Sequence, residues 1–270
     1  MRIRFRFTKL GKVRFTSQRD VARMWERALR RAELPLAYTE GFSPRPQLSF
    51  GLALPTTCES LAEYLDVELD EQRSETAAID IATLPALLTG LLPAGVDVEE
   101  SALVERRAGS LQQQVTSCAW TMRLAGVTRD ELDTLIAALL AAPTVPIVRE
   151  RKGRQEQDDL RPSVLALAMA ESLDDRAGAT TPRGAASIGV VAELATQPRG
   201  VRPIELVRGL MAVSGASNPA PGGTAGTPVL DRACRTQQWI ERDGIRVEPL
   251  ERQGPATDAD RATHALERAS

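Results

Sequence analysis

Arginine is the side chain in this sequence of 270 residues that is best placed for chemistry, and it is concentrated near the N-terminus. Arg2, Arg4 and Arg6 alternate with Ile3, Phe5 and Phe7, so a β-strand would present the three guanidinium groups on one sheet face. A row of arginines on an open sheet suits contacts to a phosphate backbone. The pattern therefore predicts binding of a nucleic acid or another phosphate-bearing ligand.

Further basic residues follow this strand, first at a hairpin and then on a helix. After a turn near Gly11, Val13 and Phe15 are predicted to continue the strand pattern. Ser17 and Asp20 form a capping-box pattern that predicts the start of this helix, and its arginines recur at helical spacing. The predicted phosphate-binding residues are Arg2, Arg4, Arg6, Lys9, Lys12, Arg14, Arg19, Arg23 and Arg27.

Internal pairing is the alternative interpretation of these arginines. Residues 1–50 carry 12 Lys and Arg against 4 Asp and Glu, whereas residues 51–105 carry one Arg against 12 acids. Acidic strands from the second segment could lie beside the arginine strand and neutralise it within the fold. Both interpretations are kept at this point.

Two loops could present a ligand or a partner. In the first, two prolines hold Arg45 on a fixed path and Phe42 could anchor the segment, although a stiff connection between strands is equally compatible. The second is a charged hairpin, which could also be a solvated turn. The predicted loop residues are Phe42, Ser43, Pro44, Arg45 and Pro46 in the first and Lys152, Asp159 and Arg161 in the second.

The order of the predicted elements favours a repeated architecture. Strand, helix, strands, helix and strand follow one another in the first part of the chain, and the same order recurs after a connection near 105–113. We therefore predict an α+β protein of two tandem ferredoxin-like (βαββαβ) units with antiparallel sheets. The units would cover 1–105 and 113–242, followed by a disordered tail over 243–270.

Several function classes are disfavoured. The three cysteines are far apart and the single histidine, His264, lies near the end of the sequence, so no structural zinc site, iron–sulfur cluster or histidine-based catalytic site is expected. A carboxylate-bound metal stays open, but no motif of the sequence points to one. We expect no cofactor. The absence of an apolar run of roughly 20 residues and of an apolar signal region predicts a cytoplasmic protein without a membrane span.

A family resemblance is carried by residues 6–55, which read RFTKLGKVRFTSQRDVARMWERALRRAELPLAYTEGFSPRPQLSFGLALP. This segment resembles the signature of the radical-SAM-linked protein family, a bacterial domain found alone or fused behind a radical SAM domain. Asp159-Leu160-Arg161-Pro162, with Lys152 before it, is similar to the second block of that family. The tandem arrangement also resembles RNA-binding RAMP proteins. Many relatives carry histidine where this chain has Gln18 and Ser43, so any histidine chemistry of those relatives is not expected here.

The resemblance implies an accessory of a separately encoded radical SAM enzyme, which binds RNA (tRNA or rRNA) or presents a substrate and is not catalytic alone. Two alternatives stay open. One is a protein–protein interaction module that binds no RNA. The other is a metal-independent endoribonuclease of RAMP type, in which Lys12 or Tyr38 would have to serve as the base.

Overall fold

The structure is a computed structural model. The residues that it describes are 1–76, 79–104, 109–151, 153–171, 187–214, 226–242 and 244–250. Within these ranges the chain divides into two compact units, of which the first comprises 1–115 and 238–250 and the second 116–237. The protein is of the α+β class, with mostly antiparallel strands and few helices. None of the described helices is long and apolar enough to cross a bilayer.

The first unit contains most of the predicted site residues. Its elements are β1 (Arg2–Lys9), α1 (Gln18–Arg31), β2 (Leu48–Phe50), β3 (Glu59–Glu68), α2 (Glu71–Thr76), α3 (Leu84–Leu91), β4 (Val98–Val104) and α4 (Leu111–Gln114). The strands are ordered β4-β1-β3-β2, and each neighbouring pair is antiparallel.

The second unit repeats the order in which the strands of the first unit follow one another in the sheet, and it has one inserted hairpin. Its elements are β5 (Val115–Ala125), α5 (Arg129–Ala141), β6 (Pro146–Arg151), β7 (Arg154–Asp159), β8 (Val164–Met169), β9 (Ile188–Ala195), α6 (Pro203–Val213) and β10 (Val229–Arg242). The strands are ordered β10-β5-β9-β8, whereas β6 and β7 pair only with each other, as the predicted charged hairpin. The residues of β10 from Gln238 onward belong to the first unit.

Local sequence explains where the site-bearing helix begins and which face it buries. The Ser17 hydroxyl accepts a hydrogen bond from the Asp20 N–H at 3.2 Å, and the Asp20 carboxylate accepts one from the Ser17 N–H, which confirms the predicted capping box. The buried stripe of α1 includes Trp25, whose ring centroid lies 5.0 Å from that of Phe7. Packing on β1 leaves the opposite face of α1 to solvent.

Two expectations differ from the structure. The strand predicted to continue through Val13 and Phe15 is wrong, because Gly11–Phe15 forms a short 3-10 helix in which only Val13 is buried. The predicted tail also differs, because Ile245–Val247 forms a strand, β11, that pairs with β10. Residues 251–270 lie outside the described residues, as do residues 215–225 of the Gly- and Pro-rich segment before β10.

Candidate functional site

The arginines of β1 are paired within the first unit. Register places Arg2 opposite Glu68 and Arg4 opposite Asp66 on β3. The Nε atom of Arg2 lies 2.5 Å from a carboxylate oxygen of Glu68, and Nε of Arg4 lies 2.6 Å from one of Asp66. Arg4 is only 2% exposed, so its guanidinium is not accessible to a phosphate from solution.

Arg6 is enclosed still more completely, at 0% exposure. Its guanidinium donates to the Tyr64 hydroxyl and forms ion pairs with Glu99 and Glu248. Burial works to lower the pKa of Arg6, but interactions with Tyr64, Glu248 and Glu99 outweigh it and hold the pKa above its ordinary value. The internal-pairing interpretation therefore describes β1, and the phosphate-binding assignment of Arg4 and Arg6 is corrected.

The basic residues from Lys9 to Arg14 are divided between the interior and the surface. Lys9 is buried and its Nζ donates to the Thr16 carbonyl at 3.0 Å. Arg14 is partly buried, 3.8 Å from the Glu59 carboxylate and stacked on the Phe15 ring. Lys12 is exposed. The burial of Lys9 removes it from the predicted binding surface for the same reason as Arg4.

The arginines of α1 lie on the surface, in contrast to those of β1. All five of them are exposed, namely Arg19, Arg23, Arg27, Arg30 and Arg31. Arg23 lies 3.9 Å from Asp20, and Arg30 lies 3.4 Å from Glu26, which are exposed pairs of small energetic value. Among the described residues, Arg19, Arg27 and Arg31 have no ion-pair partner.

The loop between the first helix and β2 is closed by its own hydrogen bonds. The Thr39 N–H donates to the Arg45 carbonyl at 2.9 Å, and the Arg45 N–H donates to the Thr39 hydroxyl at 3.1 Å. Gly41 has a φ of +119°, a conformation that a side chain would disfavour. Pro46 is buried, whereas Phe42 is fully exposed, so the expectation that Phe42 anchors the loop is wrong.

The loop and the surface face of α1 together form one groove of about 390 Å³, which we call the arginine groove. Its lining residues are Arg19, Ala22, Arg23, Glu26, Arg30, Ser43, Pro44 and Arg45. Two sequence signals that were separated along the chain therefore meet at one place. Four guanidinium groups surround the groove and a single carboxylate, that of Glu26, lines it.

The electrostatics of the groove favour an anion. The hydrogen bond from the Ser17 hydroxyl, with smaller contributions that include Arg23 and Arg19, holds the pKa of Asp20 below its ordinary value. Asp20 is thus ionised at neutral pH, yet the four groove arginines outnumber Asp20 and Glu26 together. Guanidinium groups bind phosphate oxygens through paired N–H donors. The residue types that line the groove are therefore suited to an anionic group with several oxygens.

The remaining predicted loop residues belong to the second unit, where those that are described maintain the fold. The Asp159 carboxylate accepts hydrogen bonds from the N–H groups of Val145 and Arg161. The Arg161 side chain donates to the carbonyls of Leu140 and Val164. Lys152 lies outside the described residues. No group of three or more potential metal-ligating side chains comes together in the described ranges.

Among the charged residues that line the groove, the predicted site residues omit two, Arg30 and Glu26. Both follow from the stripe at 19, 22, 23, 26 and 30, which repeats at three- and four-residue steps along α1. The sequence could have revealed this stripe, since the helix had been predicted. Its position beside the loop depends on tertiary structure.

Fold and groove define the class of this protein as an α+β domain pair with a cationic surface groove in its first unit. Residues 2–202 match the profile of a family described as an uncharacterized protein conserved in bacteria, DUF2344. The chain belongs to this family. A search of curated proteins gives no match.

Proposed function

We propose that the protein binds RNA through phosphates held in the arginine groove and serves in the cytoplasm as a non-catalytic accessory of a separate radical SAM enzyme. The observation that carries the RNA part is the convergence of Arg19, Arg23, Arg30 and Arg45 on one groove. Arg45 is exposed and has no ion-pair partner among the described residues. An arginine without a carboxylate partner is available to a phosphate without first breaking an ion pair.

The volume of the groove is compatible with a bound ligand, and the extent of its positive charge favours one with several phosphates. A volume of about 390 Å³ falls within the range of roughly 300–1,000 Å³ that is usual for ligand sites. Its arginines come from a helix and a hydrogen-bonded loop, so the backbone that carries them is ordered before the ligand arrives. Arg27 and Arg31 extend the positive charge along α1 beyond the groove, which suits a chain of phosphates more than one small anion.

The fold assignment in this proposal is that both units are ferredoxin-like. It is supported by the order of elements and by the repeated strand order, β4-β1-β3-β2 in the first unit and β10-β5-β9-β8 in the second. The β6–β7 hairpin is an insertion into the second unit. The radical SAM partnership is supported by the resemblance of residues 6–55 to the radical-SAM-linked signature.

The salt dependence of RNA binding tests the RNA part of this proposal. Binding of nuclease-treated protein to fluorescent RNA would be measured by anisotropy between about 50 and 200 mM salt. We expect the double variant Arg23→Ser/Arg45→Ser to bind more weakly and to reduce the slope of log K against log salt by about 1 for each phosphate that it no longer neutralises. Arg208→Ser, an exposed arginine of α6 in the second unit, is the matched control.

Two results would contradict RNA binding by the groove. One is a wild-type protein that never binds RNA, and the other is a double variant with wild-type affinity and slope. The partnership has its own test, which is co-purification with a radical SAM protein encoded in the same genome. Co-purification that survives nuclease treatment supports the partnership, whereas its absence under all salt conditions contradicts it.

A further inference from the structure

We propose that Phe42 is a stacking platform for an unpaired base, so that the RNA bound in the arginine groove is single-stranded at this point. The inference rests on the proposed function and names its substrate class. Phe42 is fully exposed, and the residue after it, Ser43, already lines the groove. A base attached to a phosphate in the groove therefore has an aromatic face within one residue of its binding site.

The loop presents this ring on a fixed support. Hydrogen bonds join Thr39 to Arg45 in both directions, and the Gln47 side chain donates to the Tyr38 carbonyl at 3.0 Å. Pro46 at the base of the loop is buried and paired with Tyr38. Because the backbone is already ordered, a ligand that stacks on Phe42 does not have to order the loop first.

The distribution of aromatic residues supports the same conclusion. Aromatic side chains make up only 4% of the sequence, and the exposed ones in the described ranges are Phe15, Tyr38 and Phe42. Two of these three lie on this loop, beside the groove that collects the exposed arginines. An aromatic side chain next to guanidinium groups is the combination by which proteins bind single-stranded nucleic acid, since every base has a face to stack and every linkage has a charge.

An apolar pocket on a partner protein is the competing occupant of Phe42. The charge around the ring favours RNA, because a protein that buries Phe42 would also have to cover Ser43, Pro44 and the Arg45 guanidinium at the groove. A nucleotide can stack its base on the ring and bind its phosphate to the guanidinium at the same time. Binding of a partner protein at Phe42 is therefore treated as one of the outcomes of the test below.

Affinity for short single-stranded oligo(U) and for a short RNA duplex tests the inference. We expect wild-type protein to prefer oligo(U), and Phe42→Ala to lose about five- to tenfold in affinity for oligo(U) with no change for the duplex. Phe42→Trp should bind at least as tightly as wild type because its ring also stacks. Phe42→Leu should resemble Phe42→Ala because it is apolar but has no aromatic face.

A matched control is Leu103→Ala, which removes another exposed apolar side chain from the first unit, on β4. It should leave both affinities unchanged. Wild-type affinity of Phe42→Leu or Phe42→Ala for oligo(U) would overturn the inference, and loss of co-purification with a protein by Phe42→Ala at unchanged RNA affinity would overturn it in favour of a partner protein. If RNA binding depends on salt but is the same in wild type and the Phe42 variants, only this inference is overturned. If the wild-type protein does not bind RNA, the proposed function is overturned as well.

Discussion

Arg4 and Asp66 face each other across β1 and β3 and form a two-point ion pair inside the first unit. The Nε atom of Arg4 lies 2.6 Å from Oδ1 of Asp66, and Nη2 lies 2.8 Å from Oδ2. The two residues are 2% and 3% exposed. Asp66 thus occupies the position at Arg4 that a phosphate would need, and the arginines that we propose for phosphate binding lie on other elements.

This pair predicts a large loss of stability when one partner is removed. Arg4→Ala removes the two-point partner of the buried Asp66 carboxylate and leaves it only the longer ion pair with Arg2, at 4.0 Å. We expect this to cost about 3 kcal/mol in the free energy of unfolding, at the lower end of the range for a broken buried pair. The double variant Arg4→Met/Asp66→Leu should recover most of this loss, because an apolar pair of similar volume needs no desolvation of charge. Urea unfolding followed by far-ultraviolet circular dichroism measures both.

Arg30→Gln is the control for this measurement, because it breaks an exposed pair with Glu26 on the same unit. Its cost should stay below about 1 kcal/mol. If Arg4→Ala costs no more than Arg30→Gln, the buried pairing of β1 is contradicted.

The segment after β10 is predicted to stabilise the first unit. Glu248 pairs with Arg6, and the Pro249 carbonyl accepts a hydrogen bond from Arg4 Nη1 at 3.0 Å. Glu248→Gln removes a carboxylate that forms an ion pair with the buried Arg6, which should lower the free energy of unfolding by about 1–3 kcal/mol. Glu241→Gln, an exposed acid on β10, should have little effect. Equal stability of the two variants would count against a structural role for Glu248.

Removal of a negative charge from the groove should strengthen RNA binding. Glu26 lines the arginine groove and pairs with Arg30 at 3.4 Å. Glu26→Gln frees Arg30 and removes repulsion of phosphate, so we expect about two- to fivefold tighter binding at low salt. Glu33→Gln removes an exposed acid of the same unit that does not line the groove and should change little. A loss of affinity in Glu26→Gln would place the RNA elsewhere.

The capping box of α1 predicts a pH dependence of stability. The pKa of Asp20 is lowered in the folded protein, chiefly by the hydrogen bond from the Ser17 hydroxyl. Its charged form therefore stabilises the fold above the unfolded-state pKa of about 4, and this contribution is lost as the pH falls through the folded-state pKa.

The melting temperature of wild type should accordingly exceed that of Asp20→Asn near neutral pH, and the two should converge in acid as the pH falls through the folded-state pKa of Asp20. Asp133→Asn, an exposed acid in the interior of α5, provides the comparison without a capping role. If the difference in melting temperature between wild type and Asp20→Asn persists unchanged in acid, the asparagine destabilises the fold for a reason other than the lost charge.

Most elements of the fold could be predicted from local pattern. Period-two alternation marked β1, and Ser17 with Asp20 marked the start of α1, because these signals act within a few residues. The strand predicted at 13–15 was wrong because two alternating residues are too few to distinguish a strand from a 3-10 turn. Such short segments take their conformation from their surroundings.

The candidate site was predicted only in its parts. The exposed arginines of α1 and the loop at Arg45 were each visible, but their meeting in one groove depends on how the chain packs. The burial of Arg4 and Arg6 depends on register, since a shift of one residue between β1 and β3 would have turned the acidic partners to the other face. The composition of the sequence is compatible with exposed arginines on β1 and with internally paired ones. The register between β1 and β3 places them in internal pairs.

The pairing of Arg6 with Glu248 bears on how the protein is made. These residues are 242 positions apart, and synthesis at roughly 5–20 residues per second delivers the second about 12–50 s after the first. During that interval Arg6 has left the ribosome, but its ion-pair partner Glu248 has not yet been synthesised. β1, which emerges first, is therefore among the last elements to acquire all its native contacts. A nascent chain stalled before Glu248 should therefore be cleaved by protease near β1, whereas the released protein should resist.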